Sequence, residues 1–199
     1  MRSVNRQDGS VMVIALIILV LLTLIGIAIS RTASIEILIA GNERTHKIAF
    51  YEAEAAVETG AELLELNIAC PQGFTANSGG KAVINNAIVV EAGSLGFWTN
   101  WSASLPSPPT DTSRDIFMPP SYGANDPHTN ISVSGTSMMS PGGAIIQSAG
   151  YEGAGHGTGG GGTLMLYNII ARHEGKNNSQ ATVMLQWRHV VGQEGQCSY

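Results

Sequence analysis

The sequence predicts an α+β fold in which one long N-terminal helix packs on an antiparallel β-sheet. Three observations carry this expectation. Ser10 to Ser30, SVMVIALIILVLLTLIGIAIS, is 21 residues without a charge, long enough at about 1.5 Å per residue to cross the roughly 30 Å hydrocarbon layer of a bilayer. The helical pattern then continues, with no proline before Pro71. Near the other end of the chain, two alternating apolar and polar segments flank a polar turn, the pattern of a β-hairpin.

Residues 1–9, MRSVNRQDG, form a short polar leader in which Arg2 and Arg6 oppose Asp8. A basic leader ahead of an apolar span keeps the N-terminus cytoplasmic. The span at 10–30 has two other readings. A buried core helix of a soluble domain is usually shorter and carries a polar stripe, and a cleaved secretory signal has a shorter apolar region closed by a small-x-small site. Neither fits, so the span is expected to stay in the mature protein as a membrane anchor.

From 31 to 67 the apolar or small residues Ile35, Leu38, Ile39, Asn42, His46, Ala49, Ala53, Ala56, Val57, Gly60, Leu63 and Leu64 recur at helical spacing and line one face. Glu54, Glu58, Glu62 and Glu65 follow one another on the outer face and read as a solvated charge run, while Glu43 and Lys47 stand as an i,i+4 pair. An unbroken helix from Ser10 to Asn67 would be on the order of 85 Å long. Gly26, Gly41 and Gly60 are its expected weak points, each costing about 1 kcal/mol against alanine.

After Cys70 and Pro71 the pattern changes to short segments between turn residues, and the chain's 24 glycines point to a β-rich domain over 68–199. Lys81 to Glu91, Leu95 to Trp101 and Gly142 to Ser148 each read as a strand. The proline-rich stretch Ser102 to Pro127 reads as an extended surface loop, and Gly150 to Gly162 as a flexible connection. The last two strands are Thr163 to His173 and Ala181 to Val191. Alternation in the second puts Val183, Leu185, Trp187 and His189 on one face and Met184, Gln186 and Arg188 on the other, so the first face is a candidate bed for the amphipathic helix.

Composition excludes several function classes. A net charge of −5 from 13% charged residues, with no basic patch, argues against nucleic acid as a partner. No cofactor is expected: the glycine-rich run lacks the Gly-Lys-Ser/Thr of a phosphate loop and the three-glycine dinucleotide fingerprint. Asp111 and Asp115 suggest a calcium loop only superficially, because the fixed ligand spacing and central glycine are missing, and they read as solvated loop carboxylates. His46, His128, His156, His173 and His189 sit in no zinc motif and read as surface or hairpin residues. With no nucleophile elbow either, the chain is not expected to be an enzyme. Two cysteines, Cys70 and Cys197, in an exported chain predict one disulfide, closing a loop that would stabilise the fold by about 4–5 kcal/mol in the chain-entropy model. Two free thiols are the alternative.

A leader ending in Gly9, an apolar span starting at once, and one continuing amphipathic helix before a β-rich domain together resemble type IV prepilins. Arg31-Thr32, Glu36, Ala40-Gly41-Asn42, Arg44, Ala49-Phe50 and Ala53-Glu54-Ala55-Ala56 resemble, in order and spacing, the N-terminal signature of the PilX family of minor pilins. The resemblance covers roughly Gly9 to Gly60. The hairpin around Tyr167 to Arg188 is similar to that family in style only, and residues 70–160 carry no resemblance.

The resemblance implies a pilin-like fold and cleavage between Gly9 and Ser10 by a prepilin peptidase, with methylation of the new N-terminus. It implies other minor pilins, the major pilin, an inner-membrane assembly platform and a tip adhesin as partners. It places the chain in the bacterial inner membrane before assembly and in the filament, at the cell surface, afterwards. Three positions depart from the usual pilin pattern: Ser10 stands for phenylalanine, Asp8 for a basic residue, and Ile14 for the glutamate of the fifth mature position. In a filament that glutamate pairs with the N-terminal amine of the subunit above. Buried without a partner it costs at least a few kcal/mol, so Ile14 fits a subunit with nothing above it. The reading is thus a minor pilin of pilus initiation at or near the tip. The alternatives are a tip-type pseudopilin of type II secretion and a single-pass anchored envelope protein of other function.

Overall fold

The structure, a computed structural model, describes residues 8–70, 73–76, 79–91, 107–139 and 163–190. It is an α+β arrangement. One helix, α1 (Asp8–Ala69), precedes six strands: β1 (Ala82–Ile84), β2 (Ile88–Val90), β3 (Ile116–Met118), β4 (His128–Met139), β5 (Thr163–Glu174) and β6 (Gln180–Val190). By contacts the chain divides into two compact units, residues 1–44 and 45–199, and α1 contributes to both.

In the first unit every side chain from Ser10 to Arg44 is exposed. The apolar span reaches a mean hydropathy of 3.3 over its best window, long and apolar enough to cross a membrane. Three hydroxyls of this unit bond within the helix: Thr23 in the span donates to the Val20 carbonyl at 2.7 Å, and beyond it Thr32 donates to Ala28 at 3.2 Å and Ser34 to Ser30 at 2.9 Å. Such internal bonds are what an apolar surrounding demands of a hydroxyl. None of Gly26, Gly41 or Gly60 breaks the helix.

In the second unit the sheet is fully antiparallel with strand order β1-β2-β3-β4-β5-β6, each strand beside its sequence neighbour. Pleating sends alternate residues to one face. The register stacks Ile131, Ala171 and Val183, then Val133, Ile169 and Leu185, then Gly135, Tyr167 and Trp187 across β4, β5 and β6. That face meets the buried stripe of α1, forming a core of Ala56, Val57, Ala61, Leu63 and Leu64 with Val90, Ile116, Ile131, Tyr167 and Ile169. Ala49 and Ala53, two turns and one turn before Ala56, pack with Ala181 and Val183. Gly60 permits the closest approach, because a Cβ there would lie 2.9 Å from the Ile169 Cγ2. What weakens an isolated helix is here required by packing.

The helix and the final hairpin match the sequence reading, and the Val183, Leu185, Trp187 and His189 face is the one turned to α1. Other expectations are corrected. Lys81 to Glu91 is two short strands about a turn, not one strand: Asn85 and Asn86 both have positive φ, at 51° and 54°, and the Ala87 amide bonds back to Ile84. This is the primed turn that joins twisted strands, and asparagine tolerates it. The proline-rich stretch is not loop throughout, since it contains β3, which pairs with β2 and β4. Strand β4, at the middle of the sheet, had no counterpart in the sequence reading. Leu95 to Trp101, Gly142 to Ser148 and Gly150 to Gly162 lie outside the described residues.

Candidate functional site

The candidate site is α1 itself, an element that offers surfaces rather than a cavity. Gly9 and Ser10 lie within the described helix Asp8–Ala69. Ile14 is 55% exposed, as are its large apolar neighbours. Contiguous apolar exposure on this scale marks a membrane- or protein-binding surface.

The family signature divides along the helix. Arg31, Thr32, Glu36, Ala40, Gly41, Asn42 and Arg44 are all exposed in the first unit. In the second unit Ala49, Ala53 and Ala56 are buried against the sheet, whereas Phe50, Glu54 and Ala55 face outward. The small residues at i, i+4 and i+7 are therefore the docking face, and the others keep a second face available. On that second face Phe50 and Tyr51 form an edge-to-face pair with centroids 5.8 Å apart.

The acidic run is not uniformly solvated. Glu54, Glu58 and Glu62 are exposed, but Glu65 accepts a bond from the Trp187 indole N–H at 2.5 Å and from His189 Nδ1 at 3.0 Å. These charge-assisted bonds tie the end of α1 to β6. Among the side chains near them, the Tyr167 phenol is pushed up to about 12, chiefly by burial and further by the Glu65 charge. An open groove of about 630 Å³ adjoins Glu65 and is lined by Glu58, Ala61, Glu62, Leu66, Ala69 and Trp187.

His128 is buried rather than at the surface, at 4% exposed, and the hairpin residues His173 and His189 are buried within it, at 6% and 5%. His173 Nδ1 meets the Thr129 hydroxyl at 2.8 Å, and burial holds its imidazole below the ordinary histidine range. His46 is exposed, and His156 lies outside the described residues. Asp111 is exposed, as a loop carboxylate would be, yet it also accepts bonds from its own chain, and Asp115 is half-buried as an acceptor. Asp111 Oδ1 takes the Asn130 amide at 2.8 Å, and Asp115 Oδ2 takes the Val133 amide at 2.6 Å. Among the described residues no three metal-ligating side chains converge. Cys70 is buried, and Cys197 lies outside the described residues.

Compared with known proteins, residues 8–58 match the family model described as PilX N-terminal. No curated protein and no solved structure matches the chain. The matched segment takes in the apolar span, all of the signature residues and the alanines that dock on the sheet. Residues 8–58, about a quarter of the chain, are thus a PilX N-terminal domain, consistent with a PilX-family type IV pilin.

Proposed function

We propose that this chain is a non-catalytic minor pilin that helps to initiate a type IV pilus, at or near its tip. The PilX N-terminal match supports a minor pilin, and the observation that carries the finer reading is Ile14. An apolar residue at the fifth mature position leaves no carboxylate to be neutralised by a subunit above, so the chain tolerates an end position. Before assembly the apolar span anchors the protein in the inner membrane, and afterwards the same helix packs among other pilins.

Processing is the first test. Cleavage after Gly9 removes Arg2, Arg6 and Asp8 and takes the net charge from −5 to −6. Intact-mass measurement of the membrane-extracted protein is expected to give a chain beginning at Ser10 and carrying one methyl group. Retention of residues 1–9 would leave only the plain-anchor reading.

A Cys70–Cys197 disulfide belongs to the same proposal. Thiol labelling of the folded, unreduced protein is expected to modify neither cysteine, and prior reduction both. Labelling of both without reductant would remove the covalent tie from the account. A genomic neighbourhood of secretion genes rather than pilus genes would favour the pseudopilin reading instead.

A further inference from the structure

Glu58, Glu62 and Leu66 follow one another at four-residue intervals along α1, and Ala61, Glu65 and Ala69 form the adjacent line. With Trp187 of β6 these two lines wall the open groove of about 630 Å³. Its floor is apolar and its rim anionic. Ala61 is buried, Leu66, Ala69 and Trp187 are half-buried, and Glu58 and Glu62 are exposed. Glu65 is fixed at the rim by the Trp187 indole N–H and by His189 Nδ1. Carboxylates four residues apart on a helix repel one another, and among the described residues no lysine or arginine pairs with Glu58 or Glu62. Arg188, next to Trp187 in sequence, is on the opposite face of the sheet.

We propose that this groove docks a short segment of another protein chain through an arginine or lysine flanked by apolar residues. The double character of the groove selects that occupant. A basic side chain has an aliphatic stem and a cationic head: the stem covers Ala61, Leu66 and Ala69, and the head reaches the carboxylates of the rim. Trp187 is the aromatic side chain best suited to attract a cation beside it. An acidic segment would add charge to a rim that already repels itself. A purely apolar one would take carboxylates out of water with no partner to replace it. The volume lies in the range that encloses a small ligand or short peptide and exceeds what one side chain fills, so apolar flanking residues complete the contact. Such a contact goes beyond the pilin reading and is independent of any place in a filament.

Titration of the full-length chain in zwitterionic detergent micelles tests the groove, with the capped tripeptides Leu-Arg-Leu and Leu-Glu-Leu as probes. The readout is the Trp187 indole N–H resonance, assigned by its loss in Trp187→Phe. Leu-Arg-Leu is expected to shift that resonance saturably, and Leu-Glu-Leu to leave it in place. Glu58→Gln with Glu62→Gln should weaken binding about tenfold, the combined effect of two partly exposed ion pairs. Glu52→Gln with Glu54→Gln removes the same charge from exposed positions outside the groove and should change binding by less than about twofold, because salt screens the more distant charges. Both pairs should keep the wild-type unfolding midpoint, as exposed substitutions do. No saturable shift with Leu-Arg-Leu, an equal shift with Leu-Glu-Leu, or equal weakening in the two pairs would overturn the proposal. So would a concentration-dependent dimer that keeps the peptide out, which would give the groove to a second copy of the chain.

Discussion

Truncating Leu64 to alanine is expected to lower the stability of the domain by about 3–5 kcal/mol, the range for opening a cavity under a fully buried leucine. Leu64 is 0% exposed and sits among Ile131, Tyr167 and Ile169, where α1 and the sheet meet. The neighbours are held by the strand ladder and cannot collapse into the space. Domains of this size have only about 5–15 kcal/mol in total, so the variant should unfold at a much lower denaturant concentration, with Trp187 emission as the signal. Leu38→Ala is the control: Leu38 is 67% exposed in the first unit, and the change there should stay within about 0.5 kcal/mol. A Leu64→Ala cost no larger than the control's would mean that the helix is not seated on the sheet as described.

Replacing Ile14 with glutamate should leave that unfolding midpoint unaltered and act on assembly alone. In the bilayer the new carboxylate is either ionised without a partner or forced to protonate, at a cost of about 2–3 kcal/mol. Inside a filament it would be relieved by the terminal amine of a subunit stacked above, which shifts the protein from an end position toward the shaft. A strain lacking the gene should make fewer pili, and the Ile14→Glu variant should restore them less well than the wild-type gene. Equal restoration would separate Ile14 from any part in assembly.

The helical half of this architecture was legible because its signals are local. An uncharged run of membrane length, a proline-free continuation and small residues at helical spacing depend on no distant partner. The final hairpin was legible for the same reason, since Val183, Leu185 and Trp187 alternate cleanly with exposed residues. Strand β4 escaped because its sequence, HTNISVSGTSMM, is the serine, threonine, asparagine and glycine composition of loops. It is a strand because β3 and β5 pair with it along both edges, and tertiary pairing overrides weak propensity. Glu65, Asp115 and the buried His128 were misread in one direction. Each is a polar residue whose partner lies far along the chain, such as Trp187 for Glu65, and periodicity carries no record of such pairs. The surface residues Phe50 and Glu54 were recognised through the family signature, although burial alone would not have singled them out.

The central claim is the proposal that this chain stands at the end of a filament with nothing above it. Immunogold labelling of the wild-type protein on intact, sheared pili measures its position directly. The account predicts gold at one tip of each filament and bare shafts, with tip labelling reduced for Ile14→Glu. Even decoration along the shaft by the wild-type protein would contradict it.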